Sequence, residues 1–74
     1  MNAVTWTETK PGRFESSKVG AWHGVARNVG QGKRPWRSEI HSDAKDVYTY
    51  GAAFMTSDAA IDSCETMLKT KARS

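Results

Sequence analysis

The residues from Thr56 to Ala72, TSDAAIDSCETMLKTKA, constrain the fold more than any other stretch of the chain. Apolar residues fall at Ala60, Ile61, Cys64, Met67, Leu68 and Ala72. That spacing lines one stripe of an α-helix. Asp58, Asp62, Glu65, Thr66 and Lys69 lie off the stripe. Thr56 or Ser57 can cap the first turn by accepting a bond from a free backbone N–H. Asp58 and Asp62 stand near the positive end of the helix dipole, and Lys69, Lys71 and Arg73 near the negative end. Glu65 and Lys69, four apart, predict a surface pair worth roughly 0.3–0.5 kcal/mol. A lone amphipathic helix must bury its stripe against another layer, so the residues upstream have to supply a sheet.

At 74 residues the chain has room for one domain, residues 1–74, with a thin core. Val4 and Trp6 alternate with Thr5 and Thr7, which predicts a short edge strand. Lys10-Pro11-Gly12-Arg13 reads as a type II turn. Residues 1–18 are therefore expected to form an N-terminal strand or hairpin extension. Phe14 belongs either to the core or to a lid over the helix. Val19–Val29 reads as the first main strand. Its Gly20 and Gly24 mark a bulge or a place where a backbone or large ring comes close. A loop follows over 30–35. Trp36–His41 reads as the second strand, with Trp36, Ser38 and Ile40 toward the helix and Arg37, Glu39 and His41 away from it. Val47–Phe54 reads as the third. Tyr48 and Tyr50 share one of its faces, Gly51 makes a bulge or kink, and Phe54 staples the start of the helix. The expected fold is α+β: a three-stranded antiparallel meander, extended by the N-terminal strand, with one C-terminal helix on one face.

Site chemistry is sparse. His23, His41 and Cys64 show no metal-ligand spacing, so no metal and no cofactor are expected. Gly30-Gln31-Gly32 is not a phosphate-binding fingerprint. No serine sits in a nucleophile elbow. Glu39 and His41 can meet, but on a face open to water, and an enzyme is not expected. Cys64 is the single cysteine and lies on the apolar stripe, which predicts a buried core thiol and fits a reducing compartment. No apolar run is long enough for a bilayer and no charged-then-apolar leader opens the chain, so no membrane contact is expected and the location is read as cytoplasmic.

The formal net charge is +3, a mild excess. His23, Arg27, Lys33, Arg34, Arg37 and His41 all fall on the first two main strands and their loop, with Trp22 and Trp36 interleaved. A two-stranded ribbon fits the major groove of B-DNA, and arginine reaches phosphates or guanine edges. These six residues form the expected nucleic-acid-binding set. The resulting reading is a small accessory protein of a phage or mobile element that binds double-stranded DNA. The alternative is a protein-binding module that inhibits or modulates a host complex, or a homodimer joined at a sheet edge or through the Trp6 region.

Residues 22–65 resemble the plant ethylene-response-factor (Apetala-type) DNA-binding domain and the related arm-binding domains of integrases. Trp22-His23-Gly24-Val25 stands where that family reads YRGV, and Trp36-Arg37-Ser38-Glu39-Ile40-His41 where it reads WAAEIR. Val47–Phe54 stands for its third strand, with an extra residue before Phe54, and Thr56-Ser57-Asp58-Ala59-Ala60 opens the helix. The resemblance implies a sheet lying in the major groove, with contacts from His23, Lys33, Arg34 and Arg37. Arginines that read bases in the family are replaced here by His23 and Ala26. Phosphate contact does not depend on them.

Overall fold

A computed structural model of the protein describes residues 4–30 and 32–73. Five strands, β1 (Trp6–Lys10), β2 (Arg13–Ser16), β3 (Trp22–Asn28), β4 (Trp36–Ser42) and β5 (Val47–Thr49), precede one helix, α1 (Ser57–Arg73). The strands form one antiparallel meander whose spatial order is the chain order. The expected three-stranded sheet is therefore enlarged to five, because the N-terminal segment adds both strands of a hairpin. The Pro11-Gly12 turn folds β2 back on β1. Gly12 takes φ +78°, the positive value that a type II turn requires there. Its carbonyl accepts the Asn28 amide at 2.7 Å, which fastens the turn to β3.

Two strand boundaries differ from expectation. β3 begins at Trp22, not Val19, because Val19 and Trp22 bond each other's backbones at 2.7 and 3.1 Å around Gly20 at φ +63°. That is the chemistry of a two-residue turn. The third main strand breaks after Thr49. Phe54 rejoins the sheet opposite Trp36 through backbone bonds of 3.0 and 2.9 Å. More chain lies between Thr49 and Phe54 than between their partners Glu39 and Trp36, so the Gly51 region loops out.

Register assigns the faces. Trp6, Phe14, Gly24, Ala26, Trp36, Ser38, Ile40 and Tyr48 occupy paired positions on the helix side. α1 lies over β3 and β4. Its Ala60, Cys64 and Leu68 are fully buried, together with Ala26 and Ile40 of the sheet. The Ser38 hydroxyl donates to the Ala60 carbonyl at 2.6 Å, so the one buried hydroxyl beneath the helix is satisfied. The Cys64 thiol faces the carbonyls of Val25 and Glu39 at 3.4 and 3.1 Å, and burial pushes it above its ordinary pKa. It is a core residue, not a reactive one. Thr56 is the helix cap, accepting the Ala59 amide at 3.2 Å. Phe14 resolves as a contributor to the helix side, its ring 6.0 Å from that of Trp36.

Gly24 is where β1 is joined to the rest. A Cβ there would stand 2.8 Å from the Trp6 ring and 3.3 Å from a Leu68 methyl. The indole fills the missing side chain's space and donates its N–H to Glu65 Oε2 at 2.9 Å. Glu65 thus serves Trp6, and the expected ion pair with Lys69 does not form.

Gly24→Ala should lower stability by about 1–3 kcal/mol, the usual cost of overpacking, read as a reduced urea midpoint with reduced Trp6 burial in fluorescence. Lys45 sits at φ +70° in the loop closed by the Ser42 amide on the Asp46 carbonyl at 2.9 Å. Lys45→Gly should stabilise the fold by about 0.5–1 kcal/mol, seen as a raised urea midpoint, after glycine's extra chain entropy is subtracted from the relief of the left-handed penalty.

Candidate nucleic-acid interface

The sheet face turned away from α1 carries charge in cross-strand rows. Arg13, Arg27 and Arg37 stand directly opposite one another on β2, β3 and β4. The next row holds Glu15, Val25, Glu39 and Thr49, and the one after it His23, His41 and Val47. Like charges directly opposed destabilise a sheet. The glutamates offset this by lying between the arginine and histidine rows. Glu15 accepts from Arg13 Nε at 2.9 Å and lies 3.9 Å from His23 Nε2. Glu39 lies 3.3 Å from Arg27 Nε and 3.1 Å from His41 Nε2. The two histidine rings stack at 5.4 Å. Val25 is fully buried although it stands on the face turned away from the helix, between Glu15 and Glu39 of its row.

Four residues of the expected set, His23, Arg27, Arg37 and His41, share this face. Lys33 and Arg34 are exposed in the loop between β3 and β4, which leaves the sheet at the arginine end. Among the described residues, Lys33, Arg34 and Arg37 make no side-chain ion pair or hydrogen bond. Arg13 also belongs to the row but was not expected there. Its signal was the alternation Arg13-Phe14-Glu15, which only becomes readable once β2 is known to pair with β3.

One expectation is corrected. Glu39 is only 8% exposed, so the Glu39–His41 pair is not on open surface. Trp36 lies on the helix side as expected, and Trp22, whose side the sequence leaves open, joins it there. Trp22 packs against Tyr48 at 5.4 Å, and Lys71 Nζ sits 4.0 Å from the Tyr48 ring centre and 5.9 Å from that of Trp22. The register of β3 with β4 keeps cations and tryptophans on opposite faces.

Among the described residues no three of His, Cys, Asp and Glu come together as a metal ion would need. Among the described residues no helix is long and apolar enough to cross a membrane. The chain matches no protein-family model, no curated protein and no solved structure.

The hydrogen bond from Arg13 holds the Glu15 carboxyl below its ordinary pKa, against a smaller opposing effect of burial. A carboxyl lowered on folding stabilises the native state above its unfolded pKa, near 4.3 for glutamate, and loses that contribution as pH falls through the folded value. Glu15→Gln should therefore be less stable than the parent at neutral pH. The difference should shrink as pH drops from about 5 toward 3, followed as urea midpoint against pH.

Proposed function

We propose that this protein is a small accessory protein, of the kind phages and mobile elements carry, that binds double-stranded DNA through the sheet face opposite α1. The observation that carries the reading is the row of Arg13, Arg27 and Arg37 set side by side across three adjacent strands. Such a row is unfavourable in isolation, and an anionic partner turns it into an advantage. Arg37, free of internal ion pairs, is the best placed to leave the face for a phosphate or a guanine edge. Lys33 and Arg34 extend the positive track beyond the end of the strands.

Strands β2, β3 and β4 span about 10 Å between outer axes, compatible with a major groove about 12 Å wide. This is the docking that the ethylene-response-factor resemblance implies. Duplex is favoured over single strand because the aromatic rings that would stack on unpaired bases lie on the helix side. Glu15 and Glu39 occupy Arg13 and Arg27, so affinity rests on phosphate contact by Arg37 at the other end of the row and by Lys33 and Arg34 beyond it. The rival reading, a module for a host protein, draws on the apolar side chains exposed near β5 instead.

Fluorescence anisotropy with a labelled duplex over a salt series tests the proposal. The logarithm of the association constant should fall linearly with that of salt, by about 0.9 per phosphate engaged. Arg37→Ala and Lys33→Ala should each flatten the slope by about one phosphate equivalent. Glu15→Gln should tighten binding by removing a competing carboxylate. Absence of duplex binding at about 50 mM salt would refute the proposal.

A further inference from the structure

The two free edges of the sheet are built differently. β1 carries Glu8 and Lys10 on its edge, with a register shift between them. Charge and irregularity are the usual guards against strand addition. β5 has neither. Its sequence is Val47-Tyr48-Thr49, and Val47 and Tyr48 are about half exposed, with Tyr50 and Met55 exposed nearby.

The direction of the backbone groups on β5 follows from its bonds to β4. The Tyr50 amide donates to the Ser38 carbonyl at 2.8 Å, and the Asp46 carbonyl accepts the Ser42 amide at 2.9 Å. In an antiparallel ladder hydrogen-bonded residues alternate, so Asp46, Tyr48 and Tyr50 face β4. Val47 and Thr49 then direct their N–H and C=O groups outward.

We infer that β5 pairs antiparallel with β5 of a second copy about a two-fold axis at Tyr48. This inference stands independently of the DNA reading. In that register Val47 faces Thr49 of the other chain and Thr49 faces its Val47. The outward groups of one strand therefore meet those of the other. The flanking match is Asp46 with Tyr50, so no like charges stand opposite each other along the paired strands. Val and Thr side by side are a favourable β-branched pair on the open face. On the helix side, Tyr48 meets its symmetry mate. A crevice of about 390 Å³ beside it is lined in part by Ile40, Tyr50, Met67 and the Lys71 that lies over the Tyr48 ring. Because α1 lies over β3 and β4, the two helices stand several strand spacings apart and do not collide. The result is a ten-stranded sheet with both arginine rows on one face.

Three-residue strands bury less than the roughly 800 Å² per partner of a standard interface, so association is weak and concentration-dependent. Sedimentation equilibrium should show the mass rising from monomer toward dimer between about 10 µM and 1 mM. The double variant V47K/T49K places lysines opposite lysines at exposed positions, and should be monomeric throughout with unchanged circular dichroism. Under oxidised glutathione, Tyr48→Cys should form a covalent dimer at least several-fold faster than Val47→Cys. Only position 48 faces itself across the axis, at a separation a disulfide accepts. Wild-type protein that stays monomeric at about 1 mM overturns the inference and leaves β5 to some other extended chain. A dimer that persists in V47K/T49K, or equal crosslinking at 47 and 48, overturns the register.

Discussion

The absence of a side chain at Gly24 is the constraint on which the rest of the structure depends. The Trp6 indole and the Leu68 methyl meet over that bare stretch of β3. The bond from Trp6 to Glu65 then ties the first strand to the last element. In a chain this small the buried set is short: Val25, Ala26, Ile40, Ala60, Cys64 and Leu68. A tryptophan drawn in from the edge adds apolar cover that such a core otherwise lacks. The N-terminal hairpin is thus part of the core's closure and not an appendage.

Register does the remaining work. The antiparallel match from Trp22 with Ser42 to Asn28 with Trp36 places every second residue of both strands under the helix. A slip of one residue would bring Arg37 beneath α1 and carry Ile40 into solvent. Ser38 bonded to Ala60, and Cys64 set over the Val25 and Glu39 carbonyls, oppose such a slip. The cationic face is therefore maintained from the opposite side of the sheet. Its own charges are interleaved with two glutamates, so a ligand of either sign competes with existing ion pairs.

The helix was legible because its apolar period is unbroken and its cap is a threonine. The faces of β4 were legible because Trp36, Ser38 and Ile40 alternate strictly with Arg37, Glu39 and His41. Gly24 announced a close approach without naming the ring. That ring comes from 18 residues upstream in another strand, which local pattern does not encode. The membership of Arg13 in the charged row and the side taken by Trp22 were hidden for the same reason. Each depends on pairing partners, and glycines at 20 and 24 leave the phase of the alternation open. β5 was overextended because VYTYGAAF keeps strand propensity through the point where the chain loops out before Phe54.

The link between Trp6 and Glu65 also orders events during synthesis. The hairpin leaves the ribosome before the docking site it needs, since both Glu65 and Leu68 belong to α1. Until that helix emerges, the indole has no acceptor and the groove over Gly24 stays uncovered. The meander can pair strand by strand as it appears, but the tertiary fold closes only after α1 has been made.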